Sequence, residues 1–142
     1  MLVFARFLAV AVVVSALSSC AAAQPALRVK ATGGLHSRVV FYLGDLFHEQ
    51  PPIFTVTDVS VYKKEGPYQS LEVWNLEGAE PLHSVTYDAK YKGLKEIQRA
   101  LPLQVGGQYK VMVYTRTGAK SFDMVSFRID ENGSVVPIQN WW

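Results

Sequence analysis

Cysteine is almost absent from the 142 residues: Cys20 stands alone. One cysteine closes no intrachain disulfide, so the fold must be held by packing. Charge is also sparse. Asp, Glu, Lys and Arg make up 18% of the chain, and the formal net charge is +2. No like-charge block is longer than Lys63-Lys64. Neither a nucleic-acid footprint nor a polybasic membrane patch is present.

Chemical signatures are equally thin. The phosphate-loop and dinucleotide fingerprints are missing, and so is the Gly-x-Ser-x-Gly nucleophile elbow. The three histidines, His36, His48 and His83, have no i, i+2 or i, i+4 partner. A dedicated metal site needs three or four converging ligands, and no metal or cofactor is expected. His36-Ser37 and His83-Ser84 are sequence neighbours, which point to opposite faces of a strand. The acids Asp58, Glu72, Asp88, Glu96 and Asp123 fall where solvent-facing strand or loop residues belong. A carboxylate pair for glycoside cleavage is defined in space, so the sequence leaves that possibility open.

Long apolar runs are lacking as well. The one apolar stretch, residues 7–17 behind Arg6, is interrupted only by Ser15. Its length of roughly 16 Å as a helix is too short for a ~30 Å hydrocarbon core. It has the form of a secretory signal peptide. It ends in Leu17-Ser18-Ser19-Cys20, which resembles the lipobox of bacterial lipoproteins: an aliphatic residue, two small ones, then the cysteine. That resemblance implies cleavage before Cys20, lipidation of Cys20 (palmitate among the acyl chains), and a protein anchored in the bacterial cell envelope. Ala21 rather than Asp follows the cysteine, which by the same resemblance implies the outer membrane, facing the periplasm. Ordinary cleavage after Ala21-Ala22-Ala23 is the alternative. The expected organisation is a signal peptide over 1–19, a lipidated cysteine and short tether over 20–26, and one domain over 27–142.

The domain reads as all-β, with short alternating segments separated by turn residues. Strands are expected at 27–32, 38–43, 53–64, 70–76, 82–88, 108–116, 121–129 and 135–138. A single helical turn is expected within 93–99. The apolar parity of 53–64 switches near Asp58, which points to a bulge. Trp74 is expected inside the domain. Asn132-Gly133 marks a hairpin turn.

Leu103, Gly106 and Tyr109 are spaced like the tyrosine corner of immunoglobulin-like and fibronectin type III-like domains. There a tyrosine hydroxyl bonds back to the upstream backbone as its strand begins. That resemblance implies a Greek-key β-sandwich of about seven or eight strands. A transthyretin-like sandwich and a small barrel are the alternatives.

Binding is expected from the aromatics placed in turns, connections and the C-terminus: Tyr68, Tyr87, Tyr91, Trp141 and Trp142. The expected function is non-catalytic: a membrane-tethered binding or accessory subunit, with another envelope protein as its partner. An inhibitor or immunity protein that plugs a hydrolase or toxin cleft is the alternative. The loops 45–52 and 65–70 are its candidate plugs.

Overall fold

A computed structural model describes residues 26–45, 52–116 and 121–139. Cys20, His48, Trp141, Trp142, most of the 45–52 loop and the turn 117–120 lie outside them. Among the described residues, nine strands form two antiparallel sheets with no closed barrel. They are β1 (Leu27–Gly33), β2 (Val39–Asp45), β3 (Phe54–Gly66), β4 (Gln69–Leu82), β5 (Ser84–Thr86), β6 (Leu94–Gln98), β7 (Gln108–Thr115), β8 (Phe122–Ile129) and β9 (Val135–Ile138).

One sheet runs β1-β2-β5 and the other β6-β4-β3-β7-β8-β9. The chain crosses between sheets after β2, returns after β4, and crosses again after β5. The facing sets β1-β2-β5 and β3-β7-β8 reproduce the immunoglobulin-like Greek key. Strand β4 lies beside β3, and β6 and β9 lengthen the larger sheet at its two ends. These two extra strands make the total nine.

Alternation explains the core. Leu27, Val29 and Ala31 of β1 and Val39, Phe41 and Leu43 of β2 are buried, with Arg28, Lys30 and Tyr42 facing out. Tyr109, Val111 and Val113 of β7 and Phe127 and Ile129 of β8 meet them from the other side. Phe41 and Phe127 bridge the layers with ring centroids 5.8 Å apart, and Tyr109 stacks on Phe127 at 5.4 Å. Trp74 is fully buried on β4, edge-on to Tyr87 at 5.0 Å, and its indole N–H donates to Glu96 at 3.3 Å.

Three local expectations need correction. The 93–99 stretch is not a helical turn: it contains strand β6, paired with β4. Strand β4 does not stop at Glu77-Gly78 but runs on to Leu82. Gly78 sits at φ +150°, and a Cβ there would run into the Gly93 carbonyl. Glycine thus continues the strand here and admits β6 alongside. Plain alternation along 70–76 would put Glu72 and Trp74 on one face, and they do not share one. Val61 pairs with Trp74 and Tyr62 with Glu72, so Val73 is skipped in the register. The resulting bulge brings Glu72 round to the face of Asn75. On β3 the parity switch lies between Val56 and Asp58, at another register shift.

At the start of β7, the Gln104 backbone N–H donates to the Tyr109 hydroxyl at 2.8 Å. Leu103 packs half-buried against the core, and Gly106 turns the chain at φ +80°. Gly107 leaves space for the tyrosine: a Cβ there would lie 2.6 Å from its hydroxyl. Tyr109→Phe is expected to keep the fold and cost about 1–2 kcal/mol, because the Gln104 N–H loses its acceptor. Urea unfolding of the two proteins measures this, and an unchanged midpoint would contradict it.

Candidate functional site

Most sheet edges are blunted against strand addition. Strand β5 has three residues, and β9 has four, including Pro137. Strand β6 carries Lys95 and Glu96. Strand β1 is the longest edge, and Asp123 of β8 accepts its outward Val29 N–H at 2.7 Å. At its far end, Leu35 N–H donates to the Gly133 carbonyl at 2.7 Å, tying the two sheets together. Short, charged, proline-bearing or side-chain-capped edges are how sheets resist edge pairing. A groove of about 690 Å3 runs along β1, with Val29, Ala31, Leu43, Val125 and Pro137 among its apolar lining and exposed His83 at its side.

The sequence-selected aromatics divide sharply. Tyr87 is half-buried, and its hydroxyl donates to the Leu101 carbonyl at 2.6 Å, with the Val73 carbonyl at 3.2 Å. Burial pushes its phenol far above the ordinary range, helped by the neighbouring Tyr109 and Asp88. Tyr91 is half-buried too, and its hydroxyl accepts the Thr86 N–H at 2.7 Å. Both rings fasten the connection between β5 and β6 to the body. Tyr68 is the opposite case, with 94% of its surface exposed. It sits at the turn of the β3–β4 hairpin, the longest in the fold. Pairing with β7 stops at Lys63, and pairing with β6 begins only at Asn75. Beyond those points the two strands pair only with each other; residues 64–66 still line a cleft with the 104–108 turn, and residues 67–71 stand clear as the tip of a two-stranded ribbon. Leu71 lies on it, 46% exposed.

A polar cleft lies at the base of this ribbon, on the outer face of the larger sheet. The inward packing of Val59 and Val61 turns Asp58, Ser60 and Tyr62 outward. Across the strand pair, Asp58 faces Glu77, Ser60 faces Asn75 and Tyr62 faces Glu72. Met112 and Tyr114 of β7 close the other side. Ser60 donates to Asp58 at 2.9 Å, and Asn75 donates to Ser60 at 3.0 Å and to Glu72 at 3.4 Å. Asn75 is only 7% exposed, and its side-chain carbonyl oxygen has no hydrogen-bond partner among the described residues. Burial raises the Asp58 carboxyl above its ordinary range; the Ser60 hydrogen bond opposes this, and Glu77 and Glu72 add to it. Burial and the hydrogen bond to Glu72 likewise raise the Tyr62 phenol.

Comparison with family models, curated proteins and solved structures gives no match. Among the described residues, no three His, Cys, Asp or Glu side chains are grouped to hold a metal ion. The sequence marked Asp58 and Glu72 only as separate surface acids. What joins them is the skipped Val73, for which the only sequence signal is two adjacent large apolar residues, Val73-Trp74, inside an alternating strand.

The raised Asp58 carboxyl fixes a sign. Between the unfolded value, 3.8, and the higher folded one, the folded chain holds the extra proton. Stability therefore falls as pH rises through that window, and the whole penalty is present above it. Asp58→Asn removes the charge and keeps an acceptor for Ser60. It is expected to melt higher than the parent at pH 7, with the gain shrinking on acidification and gone below the ordinary aspartate range. Thermal melts across pH check this, and a variant less stable at pH 7 would contradict it.

Proposed function

We propose that this protein is a lipid-anchored, non-catalytic binding module of the bacterial envelope. Cys20 is its anchor, and a second envelope protein is its partner. The lipobox resemblance supports the anchor, the outer membrane and the periplasmic side. A tether over residues 20–26 reaches only about 20 Å, so the domain works close to the bilayer. The observation that carries the binding reading is Tyr68, 94% exposed on a ribbon that its neighbouring strands leave free. Tyrosine is a preferred anchor in protein interfaces because its large ring orders with little entropy loss. The blunted edges favour this protruding contact over strand addition. Trp141 and Trp142 remain candidates for a second contact, with the partner or the membrane interface.

The carboxylates speak for a partner more than for chemistry. Asp58 and Glu77 face each other on neighbouring strands, so they present to one side of any ligand. Glycoside hydrolysis needs an acid and a second carboxylate flanking the bond. The same ribbon also suits a plug in a hydrolase or toxin cleft, and that inhibitor is the second reading.

In-cell crosslinking separates them. With the parent, one envelope partner is expected. Tyr68→Ala is expected to lower its capture at least about tenfold, the usual weight of an interface anchor. Cys20→Ser is expected to lower capture by releasing the domain from the membrane. Undiminished capture with Tyr68→Ala would refute the contact. A hydrolase captured equally with and without Cys20 would establish the inhibitor.

A further inference from the structure

We propose that the partner-binding surface is the end of the sandwich opposite the lipid anchor, and that an apolar surface of a protein standing off the bilayer covers it. This rests on the anchored-binding reading above. It adds where the contact lies, which further residues make it, and what it excludes.

Two ties between the sheets fix which end is which. The Val29 N–H of β1 reaches Asp123 of β8, Asp123 pairs with Val113, and Val113 pairs with Val59. The start of β1, where the tether joins, therefore lies beside the start of β3 and the close of β7. At its other end β1 passes into Gly34, which is bridged to Ser134, and the Leu35 N–H donates to the Gly133 carbonyl. There β8 closes and β7 begins, because Gln108 pairs with Arg128. The close of β3 lies there too, since Lys63 pairs with Tyr109. From Val59 to Tyr68 the strand covers about 30 Å, at ~3.3 Å per residue. Tyr68 is thus carried past the end of the sandwich farthest from the tether.

Apolar side chains are exposed on three loops at this end. Tyr68 and Leu71 lie on the ribbon tip, Val105 in the turn before β7, and Leu35 in the β1–β2 turn. Between the tip and the Val105 turn is a cleft of about 480 Å3, walled by residues 63–66 and 104–108, with room for a partner side chain. Leu35 sits by the β8–β9 turn, and β8 is two strands from β3, about 10 Å at ~4.8 Å per strand. One interface of standard size, about 800 Å2 per partner, spans all four. A lone exposed apolar residue is ordinary; four on adjacent loops at one end mark a contact surface.

The anchor selects the occupant. A tether over 20–26 reaches about 20 Å and enters at the opposite end. Hung from there, the domain holds the patch about 30 Å or more from the bilayer. The membrane that carries Cys20 does not cover it. Two copies in one bilayer present this end in the same direction, so a second copy does not meet it head-on. The occupant is another protein, with an apolar surface at that height.

The test uses the full lipidated chain in vesicles of phosphatidylethanolamine and phosphatidylglycerol, with an energy-transfer acceptor on a lipid headgroup. A donor dye is attached through one added cysteine, Cys20 being blocked by its lipid. Ile53→Cys and Ser121→Cys mark the near end; Val105→Cys and Glu131→Cys mark the far end. Transfer is expected to be strong at the near pair and several-fold weaker at the far pair. The partner captured through Tyr68 in cells then reads the patch. Val105→Asp and Leu35→Ser should each lower its capture at least about fivefold, and Ile53→Ser should leave it unchanged. A photoreactive residue at Val105 should trap the same partner. Equal transfer at both ends, undiminished capture in a folded Val105→Asp, or trapping of lipid or a second copy from Val105 would each overturn the proposal. If Tyr68→Ala leaves capture intact, the binding reading itself falls. If Tyr68 matters and both ends transfer alike, only the placement away from the bilayer falls.

Discussion

The contact on which this structure depends is the aromatic column across its two layers. Phe41 from the smaller sheet meets Phe127 from the larger, and Tyr109 stacks behind Phe127. With one cysteine in the chain, no covalent bridge joins the sheets in the place where immunoglobulin domains often carry one. Burial has to supply that hold. Each fully buried phenylalanine contributes on the order of 2–3 kcal/mol, against a total that is only about 5–15 kcal/mol for a domain of this kind. Tyr109 works twice: its ring belongs to the column, and its hydroxyl receives the Gln104 N–H and so fixes the turn that feeds β7. The Greek-key crossing and the core are thus joined at one residue.

A body fastened in this way can leave other parts free. The Asp123 cap on β1 and the bridge from Gly34 to Ser134 close the side where the sheets would otherwise gape. Tyr87 and Tyr91 pin the β5–β6 connection. What remains least supported is the tip of the β3–β4 ribbon, residues 67–71, with Tyr68 on it and a carboxylate-rich cleft farther down the hairpin. Rigid support behind a projecting contact is the arrangement that lowers the ordering cost of binding.

Much of this was legible from the residues. Alternation marked β1, β7 and β8, because one face of each is buried and the other is not, and the continuous apolar run 39–43 marked β2. The parity switch near Asp58 and the Leu103, Gly106 and Tyr109 spacing are local patterns with local causes. What stayed hidden was set by partners distant in sequence. Strand β6 is polar on most of its length, and only its pairing with β4 past Gly78 makes it a strand. Tyr87 and Tyr91 sit in an irregular connection, and nothing in that stretch announces that their hydroxyls reach backbone groups. The cleft needs the skipped Val73, without which Glu72 would share the face of Trp74 and the acids would not meet. A one-residue shift in pairing exchanges the two faces of a strand, and single-strand periodicity does not reveal it.

A firm sandwich presents a free ribbon tip. Native-state hydrogen exchange of the full chain tests it most directly, because it reads opening residue by residue. The account predicts the slowest exchange at Val59 and Val61 of β3 and at Val111 and Val113 of β7. It predicts the fastest within 65–71, with exchange at Tyr68 and Gln69 near the rate of an open chain. Protection of the ribbon equal to that of β7, or exchange in the β7 core as fast as at the tip, would contradict it.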